Sequence, residues 1–465
     1  MPYVDLYCVD DYASIFYTTN TPHGNVGGFN PDKPSIIILH PLLLDSSWLS
    51  LQFGDPRLTS IFNMVAFDMR TCGKSSSRPT GRHDSWVDAA DLAICHQMLH
   101  LPPCHILALD GISINCALRF AVLFPELCLS LTLCNVPAPK ELDWMHTAYD
   151  ELLYSWRHAE DLEAFEHVAK EAVGFIVGKV NQQCLIMEYL IAFWETSIPP
   201  VRMLRVAETQ AVLINRIPLR KDILSIIKQP VLIVHGEFNE TCPRKYADKL
   251  ASQLVNAEGG AFTYTIKGGM NSLSIIPQNA SLLHKVLAKF ILQLPRVGLN
   301  QTPPVSDWKG RMKTALSTLA ELMGDPSIAT RDSSSSLSFC CLPQAIIHKQ
   351  SEDLRQYRKG IFAAFSPLGP DGRPTRRYSD RRTEHWFTSE ENGLSIAGNS
   401  FLLVEHPKQR EKKPHSLQDR PADSKLRRAN QNPNVVEKQV ILRGSMARAV
   451  TTAAQSAAQL QQYVA

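Results

Sequence analysis

From Tyr3 to Leu294 short apolar runs alternate with longer helical stretches, and few folds accommodate that alternation. SIIILH (35–40), MVAFD (64–68), HILAL (105–109), SLTLC (130–134) and VLIVHG (231–236) are continuous apolar runs bounded by turn residues, and FTYTI (262–266) closes the series. Runs that are apolar at successive positions bury both faces, as central strands of a parallel sheet do. WVDAADLAICHQMLHL (86–101) and SINCALRFAVLF (113–124) carry apolar residues at helical spacing and read as crossovers. The pattern predicts an α/β fold, a mostly parallel central sheet flanked by helices, over residues 1–297.

Between about 140 and 228 the strand signal stops. Helical patterns rich in aromatics, among them Trp144, Tyr149, Trp156, Phe175 and Trp194, take over. An all-helical block inserted between two strands is expected to lie as a lid over the carboxyl edge of the sheet, where such folds bind ligands. Most of its aromatics are expected to pack the block itself, with two or three facing a pocket.

After Pro295 the character changes. Net charge is −5 over residues 1–300 and +8 over 301–465. Residues 298–326 read as a linker with one amphipathic helix, in which Trp308, Met312, Leu316, Leu319 and Met323 share a stripe. Residues 327–465, rich in Pro, Arg, Lys, Asp and Ser, bury too little apolar surface to offset chain entropy and read as a low-order basic tail. Within it TEHWF (383–387) and LSIAGNSFLLVE (394–405) are apolar islands, and GSMARAVTTAAQSAAQLQQYVA (444–465) has the composition of a frayed helix. Truncation after Pro295 is therefore expected to leave the domain folded.

The basic clusters RRYSDRR and KQREKK are short and interrupted by acids, so a solvated segment is expected rather than nucleic-acid binding. That leaves the tail as the place to seek a protein partner. No run reaches the ~18 apolar residues of a membrane span, and the start MPYVDLYCVDDY lacks the features of a signal peptide. The eleven cysteines are scattered, without zinc or CxxC spacing. Free thiols, a cytoplasmic location and no metal or cofactor are expected.

Three stretches resemble the α/β-hydrolase superfamily. IIILHPLLLDSSWL (36–49) is similar to its strand and oxyanion loop, and VAFDMRTCGKSSSRP (65–79) to the next strand and its Gly-rich turn. VDAADLAICHQMLHLPPCHILALDGISINCALRFAVLFPE (87–126) is similar to helix, strand, nucleophile elbow and following helix. A narrower likeness is to a degenerate fungal subgroup. The resemblance implies a Ser-acid-His triad on three loops, in which the elbow normally reads G-x-S-x-G. Counted back from Ala121 and Pro125, the nucleophile position holds Gly111. Two other registers remain open: Ser113, preceded by Gly111, and Asp110, resembling the carboxylate nucleophile of dehalogenases and epoxide hydrolases.

Continuing the resemblance, HGEFNETCP puts Asn239 at the acid position with Glu240 beside it, and KGGMNSLSIIP puts Met270 at the His position. No histidine lies between His235 and His284, and a serine or aspartate hydrolase of this fold needs that base. His40, Pro41, Leu42 and Ile112 would form the oxyanion loop and pocket floor. If the registers hold, Gly111, Asn239 and Met270 converge at the carboxyl ends of the strands. The function expected is binding of a small apolar ligand beneath the lid, with little or no ordinary ester hydrolysis. Two alternatives stand: a hydrolase, lyase or isomerase of non-standard mechanism using Asp110, Glu240 or His40, and an interaction protein acting through its tail.

Overall fold

The computed structural model describes residues 2–178, 184–295, 308–360 and 364–367. Its centre is a nine-stranded sheet in the order β1-β2-β4-β3-β6-β7-β8-β9, with the two-residue β5 (Ser76–Ser77) paired to β2. The strands are β1 (Tyr3–Tyr7), β2 (Tyr12–Thr19), β3 (Ser35–Leu39), β4 (Asn63–Phe67), β6 (Cys104–Ala108), β7 (Cys128–Cys134), β8 (Val231–Gly236) and β9 (Ala261–Ile266). From β4 to β9 every pairing is parallel, and β1 and β2 form an antiparallel edge. β3, β4, β6 and β8 are buried along their whole length, as their continuous apolar runs require.

On one face lie α3 (Ser85–Met98) and α4 (Gly111–Leu123), which pack Trp86, Ala90, Ala117 and Phe120 onto the sheet. The other face is covered by the short turns α1 (Ser50–Gly54) and α2 (Pro56–Thr59) and by α11 (Pro277–Gln293), whose Leu283 and Leu287 meet Ile36, Ile38 and Leu107. The start of α3 is set by Asp84, whose carboxylate accepts the amides of Trp86 and Val87.

The helical block consists of α5 (Asp143–Arg157), α6 (Leu162–Val177), α7 (Cys184–Ser197) and α8 (Met203–Ile214). It has its own core, in which Trp156 stands edge-on to both Phe165 and Trp194. The block is shorter than the sequence suggests at its far end. The turn α9 (Lys221–Leu224) sends Ile223 and Leu224 into the core under α4 rather than into the lid. α10 (Arg244–Gln253) then joins β8 to β9.

The largest difference from the sequence reading is the C-terminal extension. α12 (Trp308–Met323) buries Met312, Leu316 and Leu319 in the main core against α3 and α4, and Phe339 joins the same cluster. Leu337 and Leu342 pack on Val87. α13 (Gln344–Gly360) then lies on α8, with Leu354 and Tyr357 in the lid cluster. It passes so close to Gly81 that a Cβ there would run into Ser351 and the carbonyl of Ile347. Residues 308–360 are thus part of the body, which corrects both the linker and the reading of 327–360 as low-order tail. The apolar islands and the terminal helix expected beyond residue 367 lie outside the described residues.

Candidate functional site

β3, β6, β7, β8 and β9 run parallel and end at one edge of the sheet, so the loops that leave them meet there. After β3 comes His40, buried, with Nδ1 2.9 Å from the Pro41 carbonyl and Nε2 3.1 Å from the Met69 amide that donates to it. These two contacts make the ring a strut between the ends of β3 and β4. Leu43 holds a left-handed φ of 58°, with its carbonyl accepting the Trp194 indole N–H of the lid at 2.9 Å.

β6 ends at Ala108, and α4 starts two residues beyond Leu109. Asp110 is the N-cap, in extended conformation (φ −171°), and its carboxyl accepts the Gly111 amide. The Leu42 amide from the oxyanion loop reaches the same carboxyl. Burial of this carboxyl lifts it from the ordinary 3.8 to about 6, and the two amides pull the other way.

Gly111 occupies the first helical position, outside the left-handed region in which a strained elbow would put it, and an added Cβ would meet Pro137 at an ordinary 3.5 Å. The residue that projects a functional group from this turn is Asp110. Ser113 is buried one turn into the helix, its hydroxyl donating to the His40 carbonyl at 2.5 Å. It ties α4 to the oxyanion loop.

The turn after β8 holds Asn239, whose Oδ1 accepts the Cys242 amide at 2.7 Å and the Thr241 hydroxyl at 3.1 Å. Its Nδ2 reaches the Asn271 carbonyl at 3.4 Å. Glu240 is exposed and does not line the cavity, and its amide donates to Asn271 Oδ1 at 3.0 Å. In the loop after β9, Met270 leans on the lid cluster and its carbonyl crowds Gly236. The next residue, Asn271, faces the cavity, with its Nδ2 donating to the Phe175 carbonyl at 3.0 Å.

The cavity itself is about 40 Å³ and lies between the turn and the lid. Of the residues singled out in the sequence, Asp110, Gly111, Ile112 and Leu42 line it; Ser113, His40, Pro41, Asn239, Glu240 and Met270 do not. Among the other lining residues are Glu141, Tyr149, Thr241, Cys242 and Asn271, none of which the resemblance marks as a site position. Glu141 stands just before the lid and is paired with Arg216 just after it, at 2.6 Å, while Arg216 also donates to the Ala138 carbonyl at 2.7 Å. Burial, followed by the charge of Asp110, raises the Cys242 thiol, leaving it protonated and a poor nucleophile. A second chamber of about 20 Å³, walled by Leu152, Leu153 and Trp156 among others, adjoins the first through Leu42, Tyr149 and Leu213. Among the described residues no cluster of three or more His, Cys, Asp or Glu could hold a metal ion, and no helix is long and apolar enough to cross a membrane.

A family model for the alpha/beta hydrolase fold matches residues 34–269. Among solved structures, the chain is similar to an esterase from Exiguobacterium antarcticum at 15% identity, with a TM-score of 0.50 over 62% of this chain and 99% of that one. It is also similar to a thermophilic esterase from Thermogutta terrifontis (15%, TM-score 0.49, 63% and 99%) and to a hydrolase from Pseudomonas aeruginosa (18%, TM-score 0.49, 62% and 98%). At these identities the likeness is one of fold. A search of curated proteins returns no match.

Proposed function

Given that the chain belongs to the alpha/beta hydrolase fold family, we propose that it uses this architecture to bind a small, largely apolar molecule beneath the lid, with little or no ordinary ester hydrolysis. The observation that carries the reading is the identity of the groups facing the cavity. The turn after β6 offers the carboxyl of Asp110 where a serine hydrolase offers a hydroxyl, and no imidazole, which either a serine or an aspartate nucleophile needs as base, is among the lining residues. Of the hydroxyls nearby, that of Ser113 is bound to the His40 carbonyl and that of Thr241 to Asn239, while burial keeps the Tyr149 phenol protonated. The oxyanion-type amides of Leu42 and Gly111, which would otherwise stabilise a developing alkoxide, are directed at Asp110 itself. The narrower likeness to a degenerate fungal subgroup belongs to the same proposal.

The apolar walls of the two adjoining chambers fit a ligand of a few heavy atoms, or a longer one once Leu42, Tyr149 and Leu213 move aside. The test is calorimetric titration with hexan-1-ol against the protein and a Leu213→Trp variant that fills the partition. Saturable binding to the wild type that the variant loses supports the reading, and absence of saturable binding to either overturns it.

A second reading has one observation in its favour. A carboxyl that titrates at about 6 is suited to proton transfer near neutral pH, so a lyase or isomerase with Asp110 as acid or base fits the same cavity.

A further inference from the structure

We infer that the cavity beside Asp110 takes a primary ammonium group carried on a short apolar body. This rests on the reading that the cavity binds a ligand at all, and it adds the ligand's charge and head group. Two carboxyls, Asp110 and Glu141, line the space, and no Lys, Arg or His does. Glu141 is matched by Arg216 at 2.6 Å. Asp110 is met only by neutral amides, those of Gly111 and Leu42, so one negative charge faces the cavity without a protein cation to offset it. A buried charge left in that state is costly until a counter-charge arrives.

Tyr149 supplies a separate observation. It is only 6% exposed and lines the cavity, yet its hydroxyl has no hydrogen-bond partner among the described residues, while its ring stands edge-on to Phe175 at 5.1 Å. A hydroxyl on the wall of a space can bond a polar group in that space. An ammonium has three N–H donors, enough to serve Asp110 and the Tyr149 oxygen together, and aromatic rings nearby favour a cation. An alcohol brings one donor and no charge. A carboxylate would set a second anion against Asp110. Of the remaining walls, Leu42, Ile112, Met145, Ile176 and Leu213 are apolar and call for an apolar body, while the side chains of Thr241 and Asn271 are already hydrogen-bonded within the protein.

The groups facing Asp110 from each side are Tyr149 of the lid, Glu141 just before it, Cys242 of the turn after β8 and Cys134 at the end of β7, with Arg216 behind Glu141. Burial raises Tyr149, Cys134 and Cys242, so all three stay neutral at ordinary pH and Asp110 sets the sign of the cavity. Ammonium binding favours the ionised carboxylate, so affinity should fall as the pH drops through about 6.

Calorimetric titration of the full chain with hexylamine, hexan-1-ol and hexanoate at pH 8 and pH 5 tests this. The result expected is hexylamine binding at least about tenfold tighter than hexan-1-ol at pH 8, as a charge-assisted hydrogen bond would give. Hexanoate should not bind, the preference for the amine should shrink at pH 5, and Asp110→Asn, isosteric and still able to accept the Gly111 amide, should abolish it. Equal binding of amine and alcohol at pH 8, or a preference that survives Asp110→Asn, overturns the ammonium assignment while leaving the ligand-binding reading standing. Failure of all three probes to bind overturns both.

Discussion

Asp110 accounts for most of what is unusual at the scale of the residue. Its proton is held more tightly in the folded chain than in the unfolded one, so the stability that the neutral form contributes is full below about pH 4 and is lost as the pH rises through about 6. Asp110→Asn, which cannot ionise, is expected to match the wild type at pH 4 and to exceed it at pH 8 by on the order of 1–2 kcal/mol in urea unfolding. Equal midpoints at both pH values would contradict the burial argument. Counting back from the end of α4 assigned the turn to Gly111 because it assumed a family helix length. Asp before Gly at a strand-to-helix junction is itself an N-cap signal, and that local preference identifies which side chain caps the helix. Asn271 was harder to read: its role depends on a lid carbonyl, that of Phe175, nearly a hundred residues away.

Among the elements, the strands were legible because burial on both faces writes itself into consecutive apolar residues, as in β3 and β8. β1 and β2 left less trace, since β1 alternates exposed Tyr3, Asp5 and Tyr7 with buried Val4 and Leu6 at an antiparallel edge. α12 shows where the sequence misled. Its stripe of Met312, Leu316 and Leu319 was visible, but an amphipathic helix does not say which surface it covers, and the surface lies on α3 and α4. Three fully buried side chains there contribute about 1.5–3 kcal/mol each, and Phe339 adds to them. Truncation after Pro295 should therefore lower the melting temperature by more than about 10 °C or leave the domain insoluble. A truncated chain that melts with the full-length protein would show that α12 and α13 are dispensable.

For the molecule as a whole, the extension packs on both the main core and the lid. α12 holds the core and α13 holds α8, the lid helix that brings Val206, Gln210 and Leu213 to the chambers. The Glu141–Arg216 pair ties the two stems of the lid together beside Asp110, and Trp194 fixes the strained Leu43. The lid is thus anchored at its stems, over the oxyanion loop and from outside, which suits retention of a bound molecule more than rapid turnover. Under the proposed function these pieces surround a binding site rather than a hydrolytic one, a proposal open to a simple test. Its most direct measurement is the intact mass of the protein after incubation with a fluorophosphonate: an unchanged mass is expected, because Ser113 is tied to the His40 carbonyl and no imidazole lines the cavity. A stoichiometric adduct on Ser113 would contradict it.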